Sequence, residues 1–128
     1  MDLSQYDANS LGNPHFNLFG LPVTENDARL VIVPVPWEVT VSYNAGTSRA
    51  IEHILKASRQ VDLYDASFHD LWRSGYFLRE VDKKILLKSD YLRKEAELYI
   101  DYISSGEELE KNNFMCRSLR EINEGSLF

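Results

Sequence analysis

Positive charge, cysteine and long apolar runs are what this chain has least of. Fourteen Lys and Arg stand against 20 Asp and Glu in 128 residues, a formal net charge of −6. With a pI near 5.0, the chain offers no long-range attraction to phosphate backbones or anionic lipid, so neither nucleic acid nor a membrane surface is an expected partner. Cys116 is the single cysteine, which excludes an internal disulfide and a thiolate cluster for zinc or iron–sulfur. Its simplest role is that of a small buried apolar residue. No run approaches the roughly 20 apolar residues of a membrane span. The opening MDLSQYDANS has neither the positive start nor the apolar stretch of a signal peptide, so a cytoplasmic location is expected. Repeats, low-complexity tracts and a dividing linker are also missing, and residues 1–128 are read as a single α/β domain. A content of 44% apolar and 12% aromatic residues is enough to bury a core.

Residues 1–28, with Gly12, Asn13, Pro14, Gly20 and Pro22 among scattered aromatics, read as an irregular leader packed over something else. The run RLVIVPV, from Arg29 to Val35, is β-branched without alternation, which suits a strand buried on both faces of a parallel sheet. Pro34 and Pro36 supply no N–H, so the strand ends near them or lies at an edge. Trp37 to Ala45 is loop, closing on Gly46. Thr47 or Ser48 then caps a helix to about Gln60, with Ile51, Ile54, Leu55 and Ser58 at helical spacing. Glu52 pairs with Lys56, and Arg59 lies at the negative end of that helix. This is the first half of a βαβ unit.

Over residues 62–88 the segments GYFLREV and KKILLK each fit a short strand, and one of them also fits a helix. A clearer helix runs from Ser89 or Asp90 to Ser105, with Leu92, Ala96, Tyr99, Ile100 and Ile103 on one face and Gly106 past its end. Its polar face, with Arg93, Lys94, Glu95, Glu97 and Asp101, is read as solvated. The last helix reaches about Glu124 and gathers Leu109, Met115, Cys116, Leu119 and Ile122 on one face.

NAGTSRA invites a phosphate-loop reading, but no Lys follows the glycine and the Gly-rich spacing is absent. DASFHD, Asp65 to Asp70, invites a metal site, since carboxylates and imidazole suit manganese. Only His69 is flanked by acids, and His15 and His53 lie far off in sequence. Ser42 and Ser48 have no nucleophile-elbow context. On the residues themselves no catalytic or metal-ligating residue is assigned.

The phrases VPWEVTVSYNAGT, AIEHILKAS and QVDLYD, between Val33 and Asp65, resemble the N-terminal part of the ureohydrolase family, the arginases and agmatinases. PWEVTVSY and SRQVDLYD look most like the agmatinase side. There are two departures from the family pattern: Arg49 and Ala50 replace a usual Gly-Pro, and Pro34 stands where Gly is frequent. The resemblance implies the N-terminal part of a three-layer α/β/α parallel-sheet fold of arginase type, incomplete here and helix-rich. It implies a hydrolase that cleaves a guanidino C–N bond and releases urea, using two manganese ions. The family's ligand motifs, Gly-Gly-Asp-His, Asp-Ala-His-x-Asp and Asp-x-Asp, do not occur in this sequence. The expectation is therefore an N-terminal fragment, inactive alone and without its own metal. A small guanidino substrate is expected only once it is completed by a missing C-terminal part or a second subunit, homo-oligomer included. The alternative is a stand-alone interaction or regulatory α/β module that pairs with another subunit. Asn44, Gly46 and Thr47 are the candidate substrate-loop residues; on residue type alone they also serve as turn and cap formers.

Overall fold

The computed structural model describes residues 3, 6–106, 108 and 112–127. Its architecture is a small α/β fold with a two-stranded parallel sheet and three α-helices among the described residues. Two compact units are present: Met1–Pro34 with Arg49–Val81, and Val35–Ser48 with Asp82–Phe128.

In the first unit, β1 (Leu30–Ile32) pairs in parallel with β2 (Tyr76–Leu78), Leu30 opposite Tyr76 and Ile32 opposite Leu78. The strand is shorter than the apolar run, because Pro34 removes a ladder donor just beyond it. The expected burial on both faces is not seen: Leu30 and Ile32 are 50% and 37% exposed. Among the described residues only β2 flanks β1, and a two-stranded sheet cannot cover its own face. GYFLREV does supply a strand, namely β2.

Consecutive residues of β2 point their backbone groups to opposite edges. Arg79 N donates to Ile32 O at 2.9 Å. On the other edge the Asn17 side chain stands in for a strand: Leu78 N donates to Asn17 Oδ1 at 2.7 Å, and Asn17 Nδ2 donates to Leu78 O at 3.1 Å. Asn17 Oδ1 also accepts from Leu18 N at 2.8 Å, capping the 3-10 turn Leu18–Gly20. The irregular leader thus packs directly on the unit, with Leu3, Leu21 and Val23 forming a buried cluster with Trp72. Gly20 adopts φ +68°, and a Cβ there would meet Gly12 Cα at 2.5 Å, so the backbone approach needs glycine.

Helix α1 (Ala50–Ser58) follows a 3-10 turn, Thr47–Arg49. The expected cap by Thr47 or Ser48 is not made: Arg49 occupies the N-cap position and makes no side-chain cap bond. The intervening 3-10 turn moves the helix start beyond reach of those hydroxyls. Of the expected stripe, Ser58 is buried and Ile54 is 53% exposed. Ser58 Oγ donates to Leu55 O at 2.8 Å and accepts from Phe19 N at 3.1 Å.

In the second unit, α2 runs from Lys83 to Ser104, starting nearly two turns earlier than the sequence suggests. KKILLK is its first part, because Asp82 accepts from Lys84 N at 2.8 Å and Ile85 N at 3.4 Å and starts the helix there. Gly106, just past the end, takes φ +80° as expected of a left-handed terminator. Helix α3 (Asn113–Gly125) is capped by Asn112, whose Oδ1 accepts from Phe114 N and Met115 N. Val39, Leu92, Ala96 and Ile122 form the core, with Trp37 and Tyr99 packed against it. Ile103, expected on the buried face, is 44% exposed. Cys116 is half-buried. Leu109 lies outside the described residues. No described helix is long and apolar enough to cross a membrane.

Candidate functional site

The chain leaves β1 and enters α1 through the loop Val35–Ser48, which belongs to the second unit. Its form is set by Glu38. One carboxylate oxygen, Oε2, accepts from Gly46 N at 2.7 Å and from Ser48 N at 3.0 Å. Glu38 N in turn donates to the fully buried Ser89 Oγ at 3.1 Å. Burial pushes the Glu38 carboxyl up, but the N–H groups of Ser48 and Gly46 pull it down and prevail, so it lies below the usual range.

The other clamp is Arg93 of α2. Its Nη1 donates to Val39 O at 3.3 Å and to Val41 O, and its Nε donates to Glu97 Oε1 at 2.9 Å. Only 17% of the Arg93 side chain is exposed, so the reading of Arg93 as part of a solvated face is corrected. A planar guanidinium holds two carbonyls and a carboxylate from a rigid fork, whereas a lysine presents its three donors from a single rotatable nitrogen. The Val39 side chain, 1% exposed, anchors the same loop in the core.

Between these anchors the tip is presented to solvent. Asn44 takes φ +50° and Gly46 φ +132°. Asn44, Gly46 and Thr47 are all exposed, and Tyr43 beside them is 83% exposed. The Asn44 amide and Thr47 hydroxyl are thus accessible polar groups on one short segment. The Gly46 N–H is already taken. Glu38 occupies the position an anion would take in an amide nest, which explains in structural terms why NAGTSRA is not a phosphate loop. Sequence reasoning missed both Glu38 and Arg93. Glu38 lies eight residues before Gly46 and carries no local pattern that marks it.

The DASFHD turn is occupied by its own structure. Asp65 Oδ1 accepts from Ser67 N at 2.7 Å and Phe68 N at 3.0 Å. The His69 ring packs on Tyr64 with centroids 5.3 Å apart, and Asp70 pairs with Arg73 at 3.0 Å. His15 and His53 are exposed. Among the described residues no three His, Cys, Asp or Glu side chains gather as a metal group. Asp65, His69 and Asp70 therefore do not fit a dinuclear manganese centre.

Over 50 residues the chain is 42% identical to the N(1)-aminopropylagmatine ureohydrolase of Synechocystis sp.. The match covers 35% of this chain and 16% of that protein's length. No protein-family profile matches the chain, and no solved structure does.

Proposed function

We propose that this chain is the N-terminal segment of an agmatinase-like ureohydrolase, with Val31–Asp65 forming the first strand, substrate-side loop and helix of an arginase-type α/β/α sheet. The observation that carries this reading is the local identity to the Synechocystis enzyme. It is supported by a parallel strand whose following loop is held rigid by Glu38 and Arg93 while its tip stays exposed. Open parallel sheets bind ligands beyond the carboxyl ends of their strands.

In the completed enzyme the reaction is hydrolysis of a guanidino C–N bond with release of urea, agmatine or its aminopropyl derivative being the substrate class. Manganese, when bound by residues outside this segment, supplies the activated water. The role of this chain is positional. Glu38 and Arg93 fix the backbone, and the Asn44 carbonyl and Thr47 hydroxyl accept hydrogen bonds from guanidinium or amine N–H groups at the pocket mouth.

The test is urea release from agmatine with manganese present. The purified chain is expected to give none. Mixed with a polypeptide carrying the Gly-Gly-Asp-His, Asp-Ala-His-x-Asp and Asp-x-Asp motifs, it is expected to give metal-dependent turnover. Turnover by the 128 residues alone would overturn the proposal.

A second reading, a stand-alone interaction module, is favoured by the exposed apolar side chains Leu30, Val33 and Val35. Light scattering discriminates it: a specific complex with another subunit that gains no urea release supports this reading over the first.

A further inference from the structure

Helix α2 gives one face to the core of the second unit, where Leu92 and Ala96 pack with Val39 and with Ile122 of α3. The opposite face carries a second stripe that no described residue covers. Lys84, Leu87, Tyr91, Lys94, Leu98 and Asp101 are all exposed, the three apolar ones by 68%, 58% and 50% in chain order. Their spacing alternates between three and four residues without a break, which is the repeat of a coiled-coil seam. At 1.5 Å per residue the seam is ~26 Å long. Apolar residues scattered singly over a surface mean little, but a seam along one helix face is a surface shaped for another helix.

The order of charges identifies that helix. Read outward from the midpoint between Leu92 and Arg93, the seam is its own complement: Lys84 falls opposite Asp101, Leu87 opposite Leu98, and Tyr91 opposite Lys94. These layers form when two copies of α2 lie antiparallel, each layer occurring twice about a two-fold axis. The Lys94 ammonium is attracted to the face of the Tyr91 ring, and Lys84–Asp101 pairs close both ends of the seam. A parallel pair would instead set Lys84, Lys94 and Asp101 each against its own copy, like charge on like. One flanking pair opposes the antiparallel arrangement, Asp90 beside Glu97 of the other copy, but Glu97 is already neutralised by Arg93 of its own chain at 2.9 Å.

We propose that α2 is a homodimer interface, in which two copies of this chain associate through an antiparallel helix pair along Lys84–Asp101. A second copy is the partner because the charge order of the seam matches its own reverse. The interface rests on α2 alone and uses neither the guanidino chemistry proposed above nor a metal, so the two proposals stand or fall separately.

The experiment is analytical ultracentrifugation of the full chain from micromolar to millimolar concentration, in salt that screens the net charge of −6 on each copy. The mass is expected to rise with concentration from 14.8 kDa toward twice that value. Leu98→Glu, at an exposed position, is expected to weaken association about tenfold or more. Lys84→Asp and Asp101→Lys are each expected to weaken it roughly three- to tenfold. Combining the two is expected to restore it, because the exchanged charges meet only in the antiparallel pair. A mass that stays at 14.8 kDa up to millimolar concentration, a dimer indifferent to Leu98→Glu, or a double variant no tighter than either single one would each overturn the proposal.

Discussion

Glu38 Oε2 lies 2.7 Å from Gly46 N and 3.0 Å from Ser48 N, so one carboxylate oxygen closes the loop on itself. Replacing Glu38 with Ala strands two amides and is expected to cost about 1–3 kcal/mol, read as a lower midpoint in chemical denaturation.

The same contact has a defined pH dependence. The folded carboxyl lies below its ordinary value of 4.5, so its contribution is fully present above that value and is lost as pH falls through the lower folded value. The stability gap between the wild type and Glu38→Gln is expected to be constant near neutrality and to shrink in acid. A gap that widens on acidification would contradict the assignment.

Arg93 serves Val39 O, Val41 O and Glu97 together. Arg93→Lys keeps the charge but loses the fork, and is expected to cost about 1–2 kcal/mol. Glu97→Ala removes only a surface ion pair and is expected to cost about 0.3–0.5 kcal/mol. Equal losses for the two variants would show that the pair, rather than the carbonyl clamp, matters.

Asn17 bonds both backbone groups of Leu78 and caps Leu18. Asn17→Asp keeps the acceptor but sets a carboxylate oxygen against Leu78 O, and is expected to destabilise by roughly 2 kcal/mol or more at neutral pH. Hydrogen exchange should quicken at Leu78 N before it does in α1.

Gly20 combines φ +68° with a backbone approach that leaves no room for a methyl group. Gly20→Ala is expected to cost about 2–4 kcal/mol, through both strain and displacement of Gly12. A melting temperature within a degree of wild type would contradict that packing.

What could be read from the residues was what depends on short sequence separations. The α1 segment, the β-branched run and the Gly106 terminator follow from periodicity and backbone preference within a few residues. The start of α2 at Lys83 was missed because a lone Asp82 cap outweighs the ambiguous KKILLK pattern. Asn17 against Leu78, 61 residues on, and Arg93 against Val41, 52 residues back, are contacts that no local pattern carries. The candidate loop was therefore legible as a loop, whereas the two side chains that give it shape were not. Asn44, Gly46 and Thr47 are brought onto one exposed tip, and their role toward substrate rests on the proposal above.

The most direct test transplants Val31–Asp65 into the Synechocystis ureohydrolase in place of its first strand, loop and helix and measures urea release with manganese content. The expected result is a folded, metal-loaded chimera that turns over N(1)-aminopropylagmatine or agmatine, with KM raised several-fold by Asn44→Ala and Thr47→Ala while kcat changes little. A folded chimera that holds its manganese and releases no urea would contradict the claim that this segment is a ureohydrolase loop.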